Sequence, residues 1–291
     1  MLSLVLPKGS LESATLSLFE SADLAVRRGS DRDYHASIDD PRIDRVRFLR
    51  PQEIPQYVEQ GLFDLGITGR DWVTETGADV VSLGELEYSK ATSNPVRIIL
   101  AVPESSPWQT GADLPAGVRV STEYPEITRR YFDEVGVAAR IVPSYGATEA
   151  KVPDIVDAIV DVTETGSSLR KHGLKILHTL LTSRTELIAQ RSSYDDAEKR
   201  AAMEDIALLL QGAIKARGQV LLKLNVGAAQ LEAVLSVLPS MSSPTVMQLA
   251  VGDMRALETV VAKRGVNTLI PALKAAGARD ILELPISKIV E

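Results

Sequence analysis

Asp157-Ala158-Ile159-Val160-Asp161-Val162-Thr163-Glu164-Thr165-Gly166-Ser167-Ser168-Leu169 is the stretch on which the reading of this chain turns. It opens as an apolar run with a carboxylate at each end of its core, the pattern of a buried strand. It then changes abruptly to hydroxyls around one glycine, and Leu169 reopens an apolar segment. A strand, a hydroxyl-glycine turn and a helix start together make a cradle for an anion. Gly166 can take positive φ and lets a ligand approach the backbone. The N–H groups of Gly166, Ser167 and Ser168 would stand free at the helix start and face an anion. Thr163, Thr165, Ser167 and Ser168 add hydroxyl donors. No lysine sits in the turn, so it is not the Walker type, which needs one to reach the terminal phosphates. A common Ser/Thr helix cap fits the same letters. The acids on both sides of the turn favour the ligand reading.

Outward from this stretch the chain alternates strands and helices. Leu2–Leu6 reads as a buried parallel strand ended by Pro7, with Ser10 as the expected cap of a helix over Leu11–Ala22. Ser30–Arg45 is polar and reads as a loop or irregular hairpin. Val46–Arg50 is a short strand, and Pro51 is placed to start a helix through about Gln60. Phe63–Thr68 is another buried strand, followed by Gly69-Arg70-Asp71 and a helix over Trp72–Thr76, where Asp71 reads as the helix cap. This βαβαβα order predicts a largely parallel sheet. In such sheets ligands bind at the carboxyl ends of the strands. Lys8, Arg50 and Arg70 all fall there, although Lys8 also fits a solvated turn and Arg50 a surface pair with Glu53.

Ser93-Asn94-Pro95 reads as a hinge into a second α/β lobe that begins with the strand Val96–Val102. That lobe holds strands at Val118–Ser121 and Ala139–Val142, a helix opened by Tyr124-Pro125-Glu126, and the turn Tyr145–Glu149. Leu174–Leu181 and Thr185–Gln190 are expected to return to the first lobe. Asp195–Ala216 is the longest predicted helix, with Met203, Ile206, Leu209, Leu210, Ala213 and Ile214 on one face as core or subunit interface. The tail then runs strand Gln219–Val226, helix Ala228–Leu238, strands Thr245–Val251 and Leu257–Ala262, a helix capped by Asn267, and strand Ile281–Ile286. This βαββαβ order is the ferredoxin-like unit. The expected division is 1–95 with 180–216 as lobe I, 96–179 as lobe II, and 217–291 as an appended domain.

Composition narrows the function. A length of 291 residues allows two or three cores. Net charge −7 argues against general nucleic-acid binding, which wants a basic face. The chain has no cysteine, which excludes thiol chemistry, and its three histidines, His35, His172 and His178, show no metal-ligand spacing. Met1–Pro7 has no basic start and no long apolar stretch, so it reads as a strand and not a signal peptide. No run approaches membrane-spanning length, and a cytoplasmic protein is expected.

Asp161-Val-Thr-Glu-Thr-Gly-Ser-Ser-Leu169 resembles the phosphoribosyl diphosphate loop of the ATP phosphoribosyltransferases. Pro7-Lys8-Gly9, Phe48-Leu49-Arg50-Pro51 and Gly66-Ile67-Thr68-Gly69-Arg70-Asp71 look like three more motifs of that family, in the same order. The tail, with Ser243-Pro244-Thr245, is similar to the regulatory domain of its long form. The resemblance implies a type II periplasmic-binding-protein-like core of two lobes with an ACT-like, ferredoxin-like tail. It implies transfer of a phosphoribosyl group from phosphoribosyl diphosphate to N1 of ATP, the first step of histidine biosynthesis, under feedback inhibition by histidine. On that reading Thr163, Thr165, Gly166, Ser167 and Ser168 hold the 5′-phosphate side, Asp161 and Glu149 the ribose hydroxyls, and Lys8, Arg50 and Arg70 the diphosphate and triphosphate groups. Mg²⁺ arrives with the substrates, no side chain acts as covalent nucleophile, and Asn225, Ser243 and Thr245 are candidate histidine contacts. The family implies a homo-oligomer, hexamer or dimer. Ser10 stands where the family often has arginine, Ser168 where it usually has threonine, and Glu149 is one residue closer to the loop than the commonest pattern. Two lobes with a hinge also suit a solute-binding protein or a phosphoribosyltransferase with another acceptor.

Overall fold

Every residue of the first apolar run is buried, in β1 (Leu2–Pro7). Helix α1 (Glu12–Ser21) follows, but Ser10 does not cap it. Leu11 stands at the cap position without a side-chain bond, and Glu12 Oε2 accepts the Gly9 N–H at 3.3 Å. The structure is a computed structural model and describes residues 1–88, 94–239, 244–250 and 252–290. Within it the chain forms two units, Met1–Ala207 and Leu208–Glu291.

The polar stretch after α1 is a hairpin system, with β3 (His35–Ile38) antiparallel to both β2 (Val26–Arg27) and β4 (Ile43–Leu49). Helix α2 (Ile54–Glu59) begins later than the sequence suggests. Pro51 lies in the turn before it, and Pro55 occupies the first helical turn, where a missing N–H costs nothing. Then come β5 (Leu65–Gly69), α3 (Arg70–Thr76) and β6 (Val80–Leu86). The second lobe holds β7 (Val96–Pro103), β8 (Arg119–Thr122), α4 (Pro125–Val135), β9 (Arg140–Pro143), β10 (Ala158–Thr163), α5 (Ser167–Lys171) and β11 (Leu174–Ser183). Its sheet runs β11-β7-β10-β8-β9. The chain returns to the first sheet as β12 (Thr185–Gln190), giving the order β2-β3-β4-β1-β5-β12-β6.

Two expectations are corrected here. Only β4-β1-β5 is parallel in the first sheet, because β12 arrives through a short link rather than a crossover helix and runs antiparallel to β5 and β6. Leu174–Leu181 does not return with it. β11 stays paired with β7 down to Ser183↔Val96, so Arg184 alone makes the crossing.

The long helix expected over Asp195–Ala216 is α7 (Ala197–Ala216), which starts two residues later, behind a separate short helix α6 (Arg191–Asp195). Asp196 is extended between them and its carboxylate accepts the N–H groups of Glu198 and Lys199, both at 2.9 Å, which caps α7 afresh. Met203, Ile206, Leu210 and Ala213 of the apolar face are buried, as a core stripe should be.

The second unit contains β13 (Gln219–Gly227), α8 (Leu231–Val237), β14 (Thr245–Gln248), β15 (Met254–Ala262), α9 (Val266–Ala275) and β16 (Arg279–Pro285). Its sheet order, β14-β15-β13-β16, is that of the ferredoxin-like fold. Val220, Leu222, Leu224 and Val226 alternate along β13 and pack with Val234 of α8 and Leu273 of α9. Asn267 lies inside α9, whose cap position is Gly265.

Candidate active site

Parallel register aligns Pro7 with Leu49 and Val5 with Gly66, so the carboxyl ends of β1, β4 and β5 share one edge. Lys8, Arg50 and Arg70 follow these ends. Lys8 Nζ donates to Glu12 Oε1 at 3.1 Å and to the Asp31 carbonyl at 2.7 Å. Arg28, a cation that carries no motif in the sequence, donates to the same Glu12 oxygen at 2.6 Å. Burial pushes the Glu12 carboxyl up, but Arg28, Lys8 and the Gly9 N–H together hold it below its usual range. Arg50 is exposed and lies over the Lys8–Gly9 turn, where a Cβ on Gly9 would stand 3.2 Å from its Nη1. No ion pair to Glu53 or to any other carboxylate engages it among the described residues. Arg70 turns partly aside, its half-exposed guanidinium 3.4 Å from Glu186 Oε2.

On the second lobe, β10 ends at Thr163 and Gly166 takes φ 71°, a left-handed conformation that turns the chain into α5. The expectation that the Gly166 N–H stands free is corrected: it donates to Thr163 Oγ1 at 2.9 Å, so that threonine shapes the turn. The Ser167 N–H makes only a long 3.4 Å contact with Thr165 Oγ1. Glu149, despite its shortened spacing, reaches the loop and accepts the Ser168 hydroxyl at 2.6 Å. That bond lowers its pKa, aided by its own backbone and by His172, against a smaller effect of burial. Asp161 lies half-buried on β10. Burial pushes its carboxyl up to about 6; the Val162 N–H opposes this, Glu149 and Glu123 add to it, and Lys151 offsets it.

The two lobes meet along a polar seam beside this site. Asp71, which the sequence assigns to helix capping, is buried; its carboxylate accepts the Tyr124 hydroxyl at 2.8 Å and the Ser183 hydroxyl at 2.6 Å. Gly69 makes room for it, since a Cβ there would lie 2.0 Å from Asp71 Oδ1. Trp72 stacks on Tyr124 with ring centroids 4.4 Å apart. Glu75 accepts the N–H groups of Glu126 and Ile127 at 2.8 and 2.9 Å. A cavity of about 360 Å³ opens above this seam, with Ser10 and Leu11 on one side, Val162, Thr163 and Glu164 on the other, and Arg184 at the crossing. Arg184 pairs with Glu85 at 3.2 Å. Gly69 and Asp71 belong to a quoted motif, whereas Glu75, Ser183 and Arg184 carry none, because each owes its place to a contact distant in sequence.

In the tail, Asn225 donates to Asp280 Oδ2 at 2.9 Å, and Thr245 stands on the strand edge opposite Glu258. Ser243 lies outside the described residues.

Two α/β lobes, with Lys8, Arg50 and Arg70 at strand ends of the first and a glycine-hydroxyl loop following the half-buried Asp161 on the second, define an α/β protein of type II binding-protein architecture. The chain matches the family described as ATP phosphoribosyltransferase over residues 50–212 and that family's C-terminal domain over residues 216–288. It is 50% identical to an ATP phosphoribosyltransferase of Chlorobium phaeovibrioides, over the whole of this chain and 98% of that protein. It is 46% identical to one from Pelotomaculum thermopropionicum, over 99% of each. A solved ATP phosphoribosyl transferase (HisG:HisZ) complex from Thermotoga maritima matches 74% of this chain and 99% of that one, at 26% identity and a TM-score of 0.62. The chain belongs to the ATP phosphoribosyltransferase family, in the long form that carries a C-terminal domain. It is a phosphoribosyltransferase acting in the first step of histidine biosynthesis, and the binding-protein alternative falls away. No helix among the described residues is long and apolar enough to cross a membrane.

Proposed function

We propose that the second lobe grips phosphoribosyl diphosphate and the first presents ATP to it. The observation that carries this reading is the Ser168–Glu149 hydrogen bond in the loop that follows β10, next to Val162, Thr163 and Glu164, which line one cavity together with Ser10 and Leu11 of the first lobe. Thr165, Gly166, Ser167 and Ser168 hold the 5′-phosphate, with Thr163 setting the turn. Asp161 and Glu149 accept the ribose hydroxyls. Lys8, Arg50 and Arg70 neutralise the diphosphate and triphosphate. The adenine N1 lone pair forms the new bond to the anomeric carbon as the bond to diphosphate breaks. The departing electrons go to the diphosphate oxygen, and the transition state is oxocarbenium-like. Positioning two anions in line and stabilising the leaving group suffice, so no side-chain nucleophile is required.

Mg²⁺ is proposed to enter with the phosphates. Among the described residues no three acids or histidines converge on a metal position, whereas Asp161 and Glu149 can supply the one or two carboxylates that a phosphate-borne ion takes. Histidine is proposed to bind the tail near Asn225, Ser243 and Thr245, and to act on the cleft through a coupling free energy. The family also implies a cytoplasmic homo-oligomer, hexamer or dimer.

The test is product formation. With ATP, phosphoribosyl diphosphate, Mg²⁺ and inorganic pyrophosphatase, N1-phosphoribosyl-ATP accumulates. Asp161→Ala and Gly166→Val each cut turnover at least about 100-fold, the scale of losing a preorganised electrostatic contact. Near-normal rates in these variants would remove the loop from the mechanism. Asn225→Ala or Thr245→Ala should weaken histidine inhibition while leaving uninhibited turnover intact.

A further inference from the structure

Helix α4 has no cap of its own. Tyr124 stands at its N-cap without a side-chain bond, and Pro125 brings no N–H. Thr128 N–H already bonds the Tyr124 carbonyl at 3.0 Å, so the first turn offers two free donors, Glu126 N–H and Ile127 N–H. Both go to one carboxylate, that of Glu75, 51 and 52 residues away on α3 of the other lobe. Glu75 is 8% exposed, and Glu126, Arg129 and Arg130 are the charged groups that face it from α4. A carboxylate also suits the positive end of the helix. The helix thus borrows its cap from the other lobe.

Where α4 starts is where the cleft is decided. Strand β8 runs directly into it and lies parallel beside β10, with Thr122 opposite Val160. Glu123, in the turn between β8 and α4, is close enough to raise the Asp161 carboxyl. The start of α4 is further pinned by Tyr124, stacked on Trp72 and bonded to Asp71.

We propose that Glu75 is a positioning residue: by capping α4 across the lobe seam it holds the sugar-phosphate half of the cleft in register with the nucleotide half. Lobe opening would strip α4 of its cap, so the cap energy biases the free enzyme toward the assembled cleft. Substrates that bridge both lobes then need less of their own binding energy for closure. The proposal rests on the reading that the two substrates occupy opposite lobes.

The test uses the full-length protein with Glu75→Ala and Glu75→Gln. If the assembled cleft becomes a minority state, apparent affinity falls by that fraction while saturated turnover is kept. A lost cap then raises KM for both substrates about tenfold, with kcat within about twofold. Glu75→Gln keeps one acceptor oxygen and gives a smaller rise, about threefold. The order Ala above Gln above wild type in both KM values supports the proposal. Equal KM values, or a loss in kcat alone, overturn it. Should Glu75→Ala fail to fold, Glu75→Gln against wild type decides on the same criteria. Amide exchange at Glu126 and Ile127 in the substrate-free enzyme separates the two readings: faster exchange in the variants shows the cap whether or not the substrates straddle the seam, and unchanged exchange overturns it.

Discussion

Ser168 Oγ donates a 2.6 Å hydrogen bond to Glu149 Oε1. A serine has one proton to give, so while Glu149 takes it this hydroxyl cannot also donate to a phosphate. Ribose hydroxyls arriving at Glu149 would displace that bond and free the Ser168 proton for the 5′-phosphate. The ribose grip and the phosphate grip are then coupled through one hydroxyl. Glu149→Gln and Ser168→Ala should each raise KM for phosphoribosyl diphosphate about tenfold, and the double variant should fall short of the product by about 1 kcal/mol. Losses that simply multiply would mean the two residues act independently.

Asp161 carries a measurable cost. Its carboxyl is pushed up to about 6, foremost by burial, whereas an unfolded aspartate titrates near ~3.9. Between those values the folded chain binds more protons than the unfolded one, so stability falls as pH rises through that window. Asp161→Asn should therefore stabilise the substrate-free enzyme at pH ~7.5 by about 2 kcal/mol while abolishing turnover, and the gap should close below about pH 4. Denaturant titrations at both pH values read this directly. If the carboxylate form is the one that accepts ribose hydroxyls, wild-type kcat/KM also drops below about pH 6.

The parts of this design that the sequence disclosed are those fixed by local chemistry. β1 and β5 are apolar runs stopped by a turn, and Asp161–Leu169 changes character at Gly166, so strand and turn were both legible. Strand direction was not: the alternation of residues in Thr185–Gln190 is the same whichever way β12 runs, and its antiparallel entry follows from the crossing at Arg184. Nor was the break before α7, because Asp195-Asp196-Ala197-Glu198 reads equally as the opening turn of one long helix. The seam escaped for a third reason. Asp71 reads as the cap of the helix after it, yet that helix starts at Arg70 with Gly69 at the cap position, and only the approach of Tyr124 from 53 residues away reveals what the carboxylate does.

Asp64 ties the start of the helical segment to the first sheet. Its carboxylate accepts Lys199 Nζ at 2.8 Å, and Ser193 Oγ, Ser3 Oγ and Ser3 N–H, each at 2.7 Å. Burial pushes this carboxyl up, but these four donors outweigh it and hold the pKa at about 2. With the folded value depressed, the stabilisation is present above the unfolded value near ~3.9 and is lost as pH falls toward 2. Asp64→Asn should cost about 2 kcal/mol at neutral pH, and the difference from wild type should shrink on acidification. A constant difference across pH 2–7 would assign the loss to packing instead of charge.

Gly69 tests the seam from its tightest point. A Cβ there would stand 2.0 Å from Asp71 Oδ1 and 3.5 Å from Ser183 Oγ, so alanine must expel the Asp71 carboxylate. The buried Tyr124 hydroxyl then loses its acceptor, and Ser183 loses the 2.6 Å bond from its hydroxyl to that carboxylate. Unsatisfied buried groups of this kind cost about 1–3 kcal/mol each, and Gly69→Ala should destabilise the protein by about 2–4 kcal/mol. Gly265→Ala is the matched control. That glycine also stands at a helix cap, has φ −98°, and nothing lies within 4 Å of its Cβ position. It should change stability by less than about 0.5 kcal/mol, as substitutions away from packed features do. Chemical denaturation of both variants makes the comparison, and equal midpoints for the two would show that the Asp71 carboxylate does not fill the space beside Gly69.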